Sequence, residues 1–275
     1  MNIQNRRYDL HAASGVRGFW DDLWAGLLMV ELWRTFAWDE IQQRYRRSML
    51  GVSWIVLSFL MFVCGVSFFF SALSGREMEN FIVYVALGYA AFIFISGNFL
   101  DGCQVFTSSR VWIKAMSLPY SVHVYRSLFR SFVTFSLQMA VVFPIMIWSG
   151  WTPGLITLMA IPALAIYVLN AIAAQYLLGL IAARFEDAGH LVASITRLLI
   201  FVTPILWVRE GLDGARAFAA DLNPLTHYVE IFRAPFLGEM PRMTSWLVVF
   251  GVTVAVWVAA ALSAAIFRRR LPYWL

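Results

Sequence analysis

The residues of this 275-residue sequence best equipped for chemistry are its 21 basic side chains, of which only Lys114 is a lysine. They concentrate at Gln42-Gln43-Arg44-Tyr45-Arg46-Arg47-Ser48, directly ahead of a long apolar run. A cluster there either anchors the chain to anionic headgroups, at about 1 kcal/mol per residue, or forks its guanidinium groups onto a pyrophosphate. Arg197 lies inside a later apolar run, about 9 Å along a helix from Leu191. Its side chain either snorkels back to the headgroups or touches an anionic lipid-linked substrate. A phosphate-cradling GxxxxGK[ST] loop needs a Gly before its Lys, and Lys114 lies between Ile113 and Ala115. No HExxH, GxSxG or DxD-like carboxylate cluster is present, and Glu186 and Asp187 read as a solvated helix end. Cys64 and Cys103 have neither CxxC spacing nor a neighbouring His, so packing accounts for them. His11, His123, His190 and His227 fall in the N-terminal segment, near span ends or in an outer loop. A proton-coupled pump needs such groups in mid-membrane. The expectation is a chain with no catalytic residue, no metal site and no cofactor of its own.

The elements that must carry these residues are membrane helices. About 61% of the residues are apolar and only 13% charged, against roughly 25% charged in soluble domains, and the mean hydropathy is +0.71. This excludes a soluble enzyme, a disulfide scaffold and a disordered chain, and in a membrane protein a basic excess does not imply nucleic acid. A bilayer core of about 30 Å takes about 20 helical residues. The uncharged stretch Ser131–Ala183 is too long for one crossing and is cut by the turn signal Ser149–Gly154. The expected fold is an all-α integral membrane protein with six transmembrane helices over about 49–73, 80–100, 131–148, 155–183, 191–208 and 243–267. Residues 1–48 form an N-terminal segment and 268–275 a tail. With no long apolar run before Met49, no signal peptide is expected. Sixteen Lys and Arg then share the side of both termini, against Arg76, Arg209, Arg216, Arg233 and Arg242 opposite, which predicts cytoplasmic termini.

Three segments between spans are more than connections. Gly18–Trp38 is rich in Trp and Leu but carries Asp21, Asp22, Glu31 and Arg34. A central charge costs about 2.5–3.5 kcal/mol on insertion, so an interfacial helix is expected rather than a seventh span. The stretch SSRVWIKAMSLP predicts a short cytoplasmic helix ended by Pro119. The outer segment 209–242 reads as two short helices, broken at Asn223-Pro224 and Ala234-Pro235, that dip back toward the membrane. The first two spans carry aromatic residues, among them Trp54, Phe59, Phe62, Tyr84, Tyr89 and Phe92. Each alone is packing or lipid-facing bulk; as a face they can slide along sugar rings.

QRYRRSMLGVSW (43–54) resembles the motif that leads into the first span of polysaccharide-export ABC transporter permeases, the family of O-antigen, capsule and teichoic-acid exporters. SSRVWIKAMSLPYSVHVYRSLFRS (108–131), ARFEDAGHLVASITRLLIFVTPILW (183–207), LNPLTHYVEIFRAPFLG (222–238) and RRRLPYWL (268–275) are similar to later landmarks in the same order. The resemblance covers about 40–275, with O-antigen export the first choice and capsule or teichoic acid the alternative. It implies a homodimer in the bacterial inner membrane, partnered by two copies of an ATPase subunit that holds ATP and Mg. The substrate implied is a polysaccharide on undecaprenyl pyrophosphate. By the same resemblance Ser109, Arg110, Val111, Trp112, Ile113, Lys114, Ala115 and Met116 couple to the ATPase, together with the Gly18–Trp38 helix. Arg44, Arg46 and Arg47, with Arg197, face the lipid pyrophosphate as it enters. Trp54, Phe59, Phe62, Tyr84, Tyr89 and Phe92 line the polymer path, and Asn223, Pro224, His227, Tyr228, Phe232 and Pro235 shape a periplasmic gate. A secondary transporter needs mid-membrane ionisable groups or an inverted repeat, and a lipid-linked glycosyltransferase needs acidic or metal-binding loops; neither pattern is visible.

Overall fold

A computed structural model describes residues 15–46, 48–74, 78–209 and 214–275, and among them every regular element is helical. Five helical stretches are long and apolar enough to cross a membrane. These are α3 (Ser53–Ser74), α4 (Met78–Gln104), α6 (Ser121–Trp148), a 3-10 turn at Leu155–Met159 leading into α7 (Ala160–Arg184), and α11 (Met243–Phe267) with its tail. The shorter helices are α1 (Gly15–Leu27), α2 (Val30–Tyr45), α5 (Arg110–Ala115), α8 (Asp187–Val202), α9 (Ala215–Leu222), α10 (Pro224–Phe236) and α12 (Leu271–Trp274). The axis of the bundle is α4, which packs against α3, α6, α7, α8 and α10. Asn98 of α4 and Gln175 of α7 are both buried and bond to each other. Such a polar pair is a favoured link where lipid offers no hydrogen bonds.

Four departures from the sequence reading have local causes. Helix α6 begins ten residues before the predicted start at 131, because Arg126 and Arg130 are held by carboxylates of neighbouring helices and so do not end it. The predicted fifth span, 191–208, is α8, which stops at Val202 and is not among the five stretches of spanning length. Its 16 residues rise about 24 Å. Thr203 precedes Pro204 and is extended (φ −79°, ψ 133°), the conformation a following proline imposes. Pro235 does not break α10, which runs to Phe236. That helix is closed by Gly238 at φ 75°, with the Glu239 N–H donating to the Ala234 carbonyl. Gly18–Trp38, expected as one helix, is the end of α1 and most of α2, separated at Leu28–Met29.

That separation lets the two helices serve different neighbours: α1 packs on α11 and α6, α2 on α6 and, through Phe36 and Trp112, against α5. The fastening of α1 is Asp22, fully buried. Its carboxylate accepts the N–H groups of Tyr120 (3.0 Å) and Ser121 (2.9 Å) at the start of α6, so one helix caps the N-terminus of another. Arg268, just past α11, pairs with the same carboxylate at 3.2 Å and donates to the Gly18 carbonyl. Gly26 brings the backbones together: a Cβ there would lie 2.1 Å from Ser121 Oγ. Burial raises the Asp22 pKa, and Arg268 and the two backbone N–H groups pull it back. We expect Asp22→Ala, which strands Arg268, to lower stability by about 3–5 kcal/mol, read as a fall in the thermal midpoint of the detergent-purified protein. Asp22→Ala with Arg268→Met should recover most of that fall. An unchanged midpoint for Asp22→Ala contradicts the tie.

Candidate functional site

The bundle has two polar ends. At the end carrying α1, α2, α5 and the tail, α5 stands out from the spans. Val111 is 69% exposed, and Arg110, Trp112, Lys114, Ala115 and Met116 are exposed as well. Only Ile113 turns inward, packing beside the cluster that contains Phe106 and Tyr120. Buried Ser109, at the N-cap position, leaves the helix uncapped. Its hydroxyl instead donates to the Val105 carbonyl (2.7 Å) and accepts from Arg126 of α6 (2.9 Å). Glu40 of α2 holds Arg130 at 2.6 Å and Arg126 at 3.7 Å, and Arg130 also holds Asp101 of α4 at 3.0 Å. This network joins α2, α4, α6 and the start of α5, so a push on the exposed helix meets three others. Arg44 and Arg46 are exposed near the end of α2, and Arg197 is exposed on α8. Arg47 lies outside the described residues.

The six aromatics of α3 and α4 have different surroundings. Phe59, Tyr84 and Phe92 are buried between helices of the chain, and Trp54 is exposed. Phe62 and Tyr89 are half-buried and stack with ring centres 3.8 Å apart.

At the opposite end α10 lies against α4, α7 and α11, and α9 packs on α10. Asn223 caps α10 through its side-chain oxygen (Leu225 N–H, 3.1 Å), with Pro224 at the first helical position, and its amide reaches Thr203 Oγ1 at 2.9 Å. His227 spans from Ser245 Oγ of α11 to the Asp221 carbonyl of α9, both 2.8 Å. Tyr228 gives its carbonyl to the Tyr167 hydroxyl at 2.6 Å. Phe232 and Pro235 are buried, Phe232 against Tyr167 and Phe236. Arg209 grips Asp221 and Arg242 grips Glu230. The sequence reading singled out Asn223, Pro224, His227, Tyr228, Phe232 and Pro235 here, and all six lie on or next to α10.

That reading missed the charged partners: Asp22 with Arg268, Glu40 and Asp101 with Arg126 and Arg130, and Arg233. One signal was present. Arg126 and Arg130 are four apart, hence on one helical face.

With this geometry in place, comparison with known proteins defines the class. Residues 31–237 match the family described as ABC-2 type transporter. The chain belongs to that family, and with its apolar helices it is a multi-pass membrane protein. Membership implies an ABC ATPase partner. The O-antigen export system permease protein RfbA of Myxococcus xanthus is 22% identical over 228 residues, 81% of this chain and 87% of that protein. The protein of the same name from Klebsiella pneumoniae is 23% identical over 200 residues, 72% of this chain and 77% of the relative.

The Glu230–Arg242 contact makes the stability of the α10–α11 joint depend on pH. Burial alone would raise the Glu230 pKa, but hydrogen bonds from Arg242 outweigh it and hold the carboxyl below its ordinary value. A lowered carboxylate contributes stability above its unfolded pKa and loses it as pH falls through the folded one. The thermal midpoint of the wild type should therefore drop below about pH 4 by more than that of Glu230→Gln. Parallel curves for the two proteins refute this.

Proposed function

We propose that the chain is the transmembrane subunit of an ABC exporter that carries a polysaccharide linked to undecaprenyl pyrophosphate, most simply O-antigen, across the bacterial inner membrane. The observation that carries this reading is the similarity to O-antigen export permeases over 72–81% of the chain. In this reading two copies form the conduit and two ATPase subunits bind ATP and Mg and hydrolyse the nucleotide. Both termini are cytoplasmic, and α8 with the segment through Arg209 makes a sixth crossing. Helices α9 and α10 re-enter the membrane from the periplasm and, through Asn223, Pro224, His227, Tyr228, Phe232 and Pro235, form its gate. Arg44, Arg46, Arg47 and Arg197 meet the lipid pyrophosphate, and Trp54, Phe59, Phe62, Tyr84, Tyr89 and Phe92 belong to the polymer path.

The ATPase stroke arrives at Ser109–Met116 and at the α1–α2 pair. Support comes from the exposure of α5 and its tie through Ser109 to Arg126. The charge-reversed double variant Arg110→Glu, Lys114→Glu should insert normally yet abolish export, measured as surface polymer in cells lacking the native permease. Export at wild-type level with the ATPase still bound refutes the coupling role. The topology has its own check: cysteines placed singly between 214 and 242 should react with an impermeant maleimide added to intact cells whose outer membrane is permeabilised, and labelling only after cell lysis overturns it.

A further inference from the structure

A cavity of about 310 Å³ lies at the α9–α10 end, lined in part by Tyr84, Pro204, Thr226, Glu230, Arg233 and Arg242. Arg233 is only 7% exposed, and three neighbours fix it. Its guanidinium carbon stands 3.6 Å over the Tyr84 ring. Its Nη1 donates to the Pro204 carbonyl at 2.7 Å. Gly88 of α4 leaves the space beside that nitrogen open, since a Cβ there would lie 3.0 Å from Nη1.

What this arginine lacks is a counter-ion. Arg209 and Arg242 of the same cavity have Asp221 and Glu230, whereas no carboxylate pairs with Arg233 among the described residues. An unpaired buried guanidinium is expensive, and stacking on a ring offsets part of that only. Its remaining N–H groups make no hydrogen bond among the described residues. Thr226, 2% exposed, lines the cavity too, and its hydroxyl has no partner there. A held guanidinium with free N–H groups is the arrangement that takes an oxyanion in a two-pronged contact.

We propose that this cavity binds a phosphate-type oxyanion, with Arg233 as its principal ligand and Thr226 as a further donor. Two sources present that chemistry: the pyrophosphate of the carrier lipid, which rests on the export reading above, and the headgroup of an anionic phospholipid. Glu239 at the exposed rim repels either one.

The test is calorimetric titration of the purified full chain in neutral detergent with inorganic pyrophosphate at constant ionic strength. Saturable binding is expected, weakened roughly tenfold or more by Arg233→Gln, unchanged by Arg17→Gln at the other end, and strengthened by Glu239→Gln. Absence of saturable binding overturns the site. So does binding that survives Arg233→Gln but is lost in Arg44→Gln, Arg46→Gln, or binding weakened by Glu239→Gln, since removing a rim carboxylate that repels the anion cannot weaken its binding in this cavity. Should Arg233→Gln not fold, Gly88→Ala crowds the guanidinium and must itself weaken binding; unchanged affinity in that variant overturns the site. Nanodiscs with and without phosphatidylglycerol separate the sources: competition identifies the phospholipid headgroup, and its absence the carrier pyrophosphate. Anion binding is read without transport, so its failure leaves the export reading standing, and loss of export with binding intact counts against that reading alone.

Discussion

Inside a bilayer no water is available to a polar group, so each one must find its partner within the protein. That constraint accounts for much of the irregular architecture here. Where α8 gives way at Thr203, the exposed backbone is met at once: the Pro204 carbonyl accepts from Arg233 and from the Tyr84 hydroxyl. The Thr203 hydroxyl accepts from Asn223. The start of α6 is met by the carboxylate of Asp22. At these three places the partners come from distant parts of the chain. The same contacts therefore satisfy the backbone and assemble the bundle.

The two ends solve the problem differently, in line with their proposed tasks. Around α5, charged side chains form a connected web through α2, α4 and α6 while the helix itself stays exposed. Around α10, two ion pairs, Glu230 with Arg242 and Arg209 with Asp221, tie α9 and α10 to the segments that flank them, while α10 itself is buried against α4, α7 and α11. Helix α4, buried along most of its length, runs between the two ends, from its contacts with α10 to Asp101 beside Arg130.

How far the sequence announced this depends on the kind of signal. Apolar runs reveal helices wherever charge is absent, so α3, α4 and α11 were legible, as were the break at Asn223-Pro224 and the short helix at Arg110–Ala115. Hydropathy fails where a charge is paired. It began the third span only after Arg130 because it cannot see Glu40 and Asp101. It took Asp22 for an interfacial charge, although the residue is fully buried. The early stop of α8 was readable in Thr203-Pro204, but the apolar residues after it masked the proline. Arg233 counted only as one outer charge, since its stacking on Tyr84 joins residues far apart in sequence.

The Asp22 tie also bears on how the molecule is made. Arg268 follows Asp22 by 246 residues, so α1 waits through the synthesis of every span between them before its carboxylate meets a guanidinium. Until then α1 can dock on α6 through its carboxylate but lacks its tie to the residue that follows α11. That tie forms only after all five long apolar helices have been made, and a chain interrupted within α11 leaves Asp22 without its guanidinium.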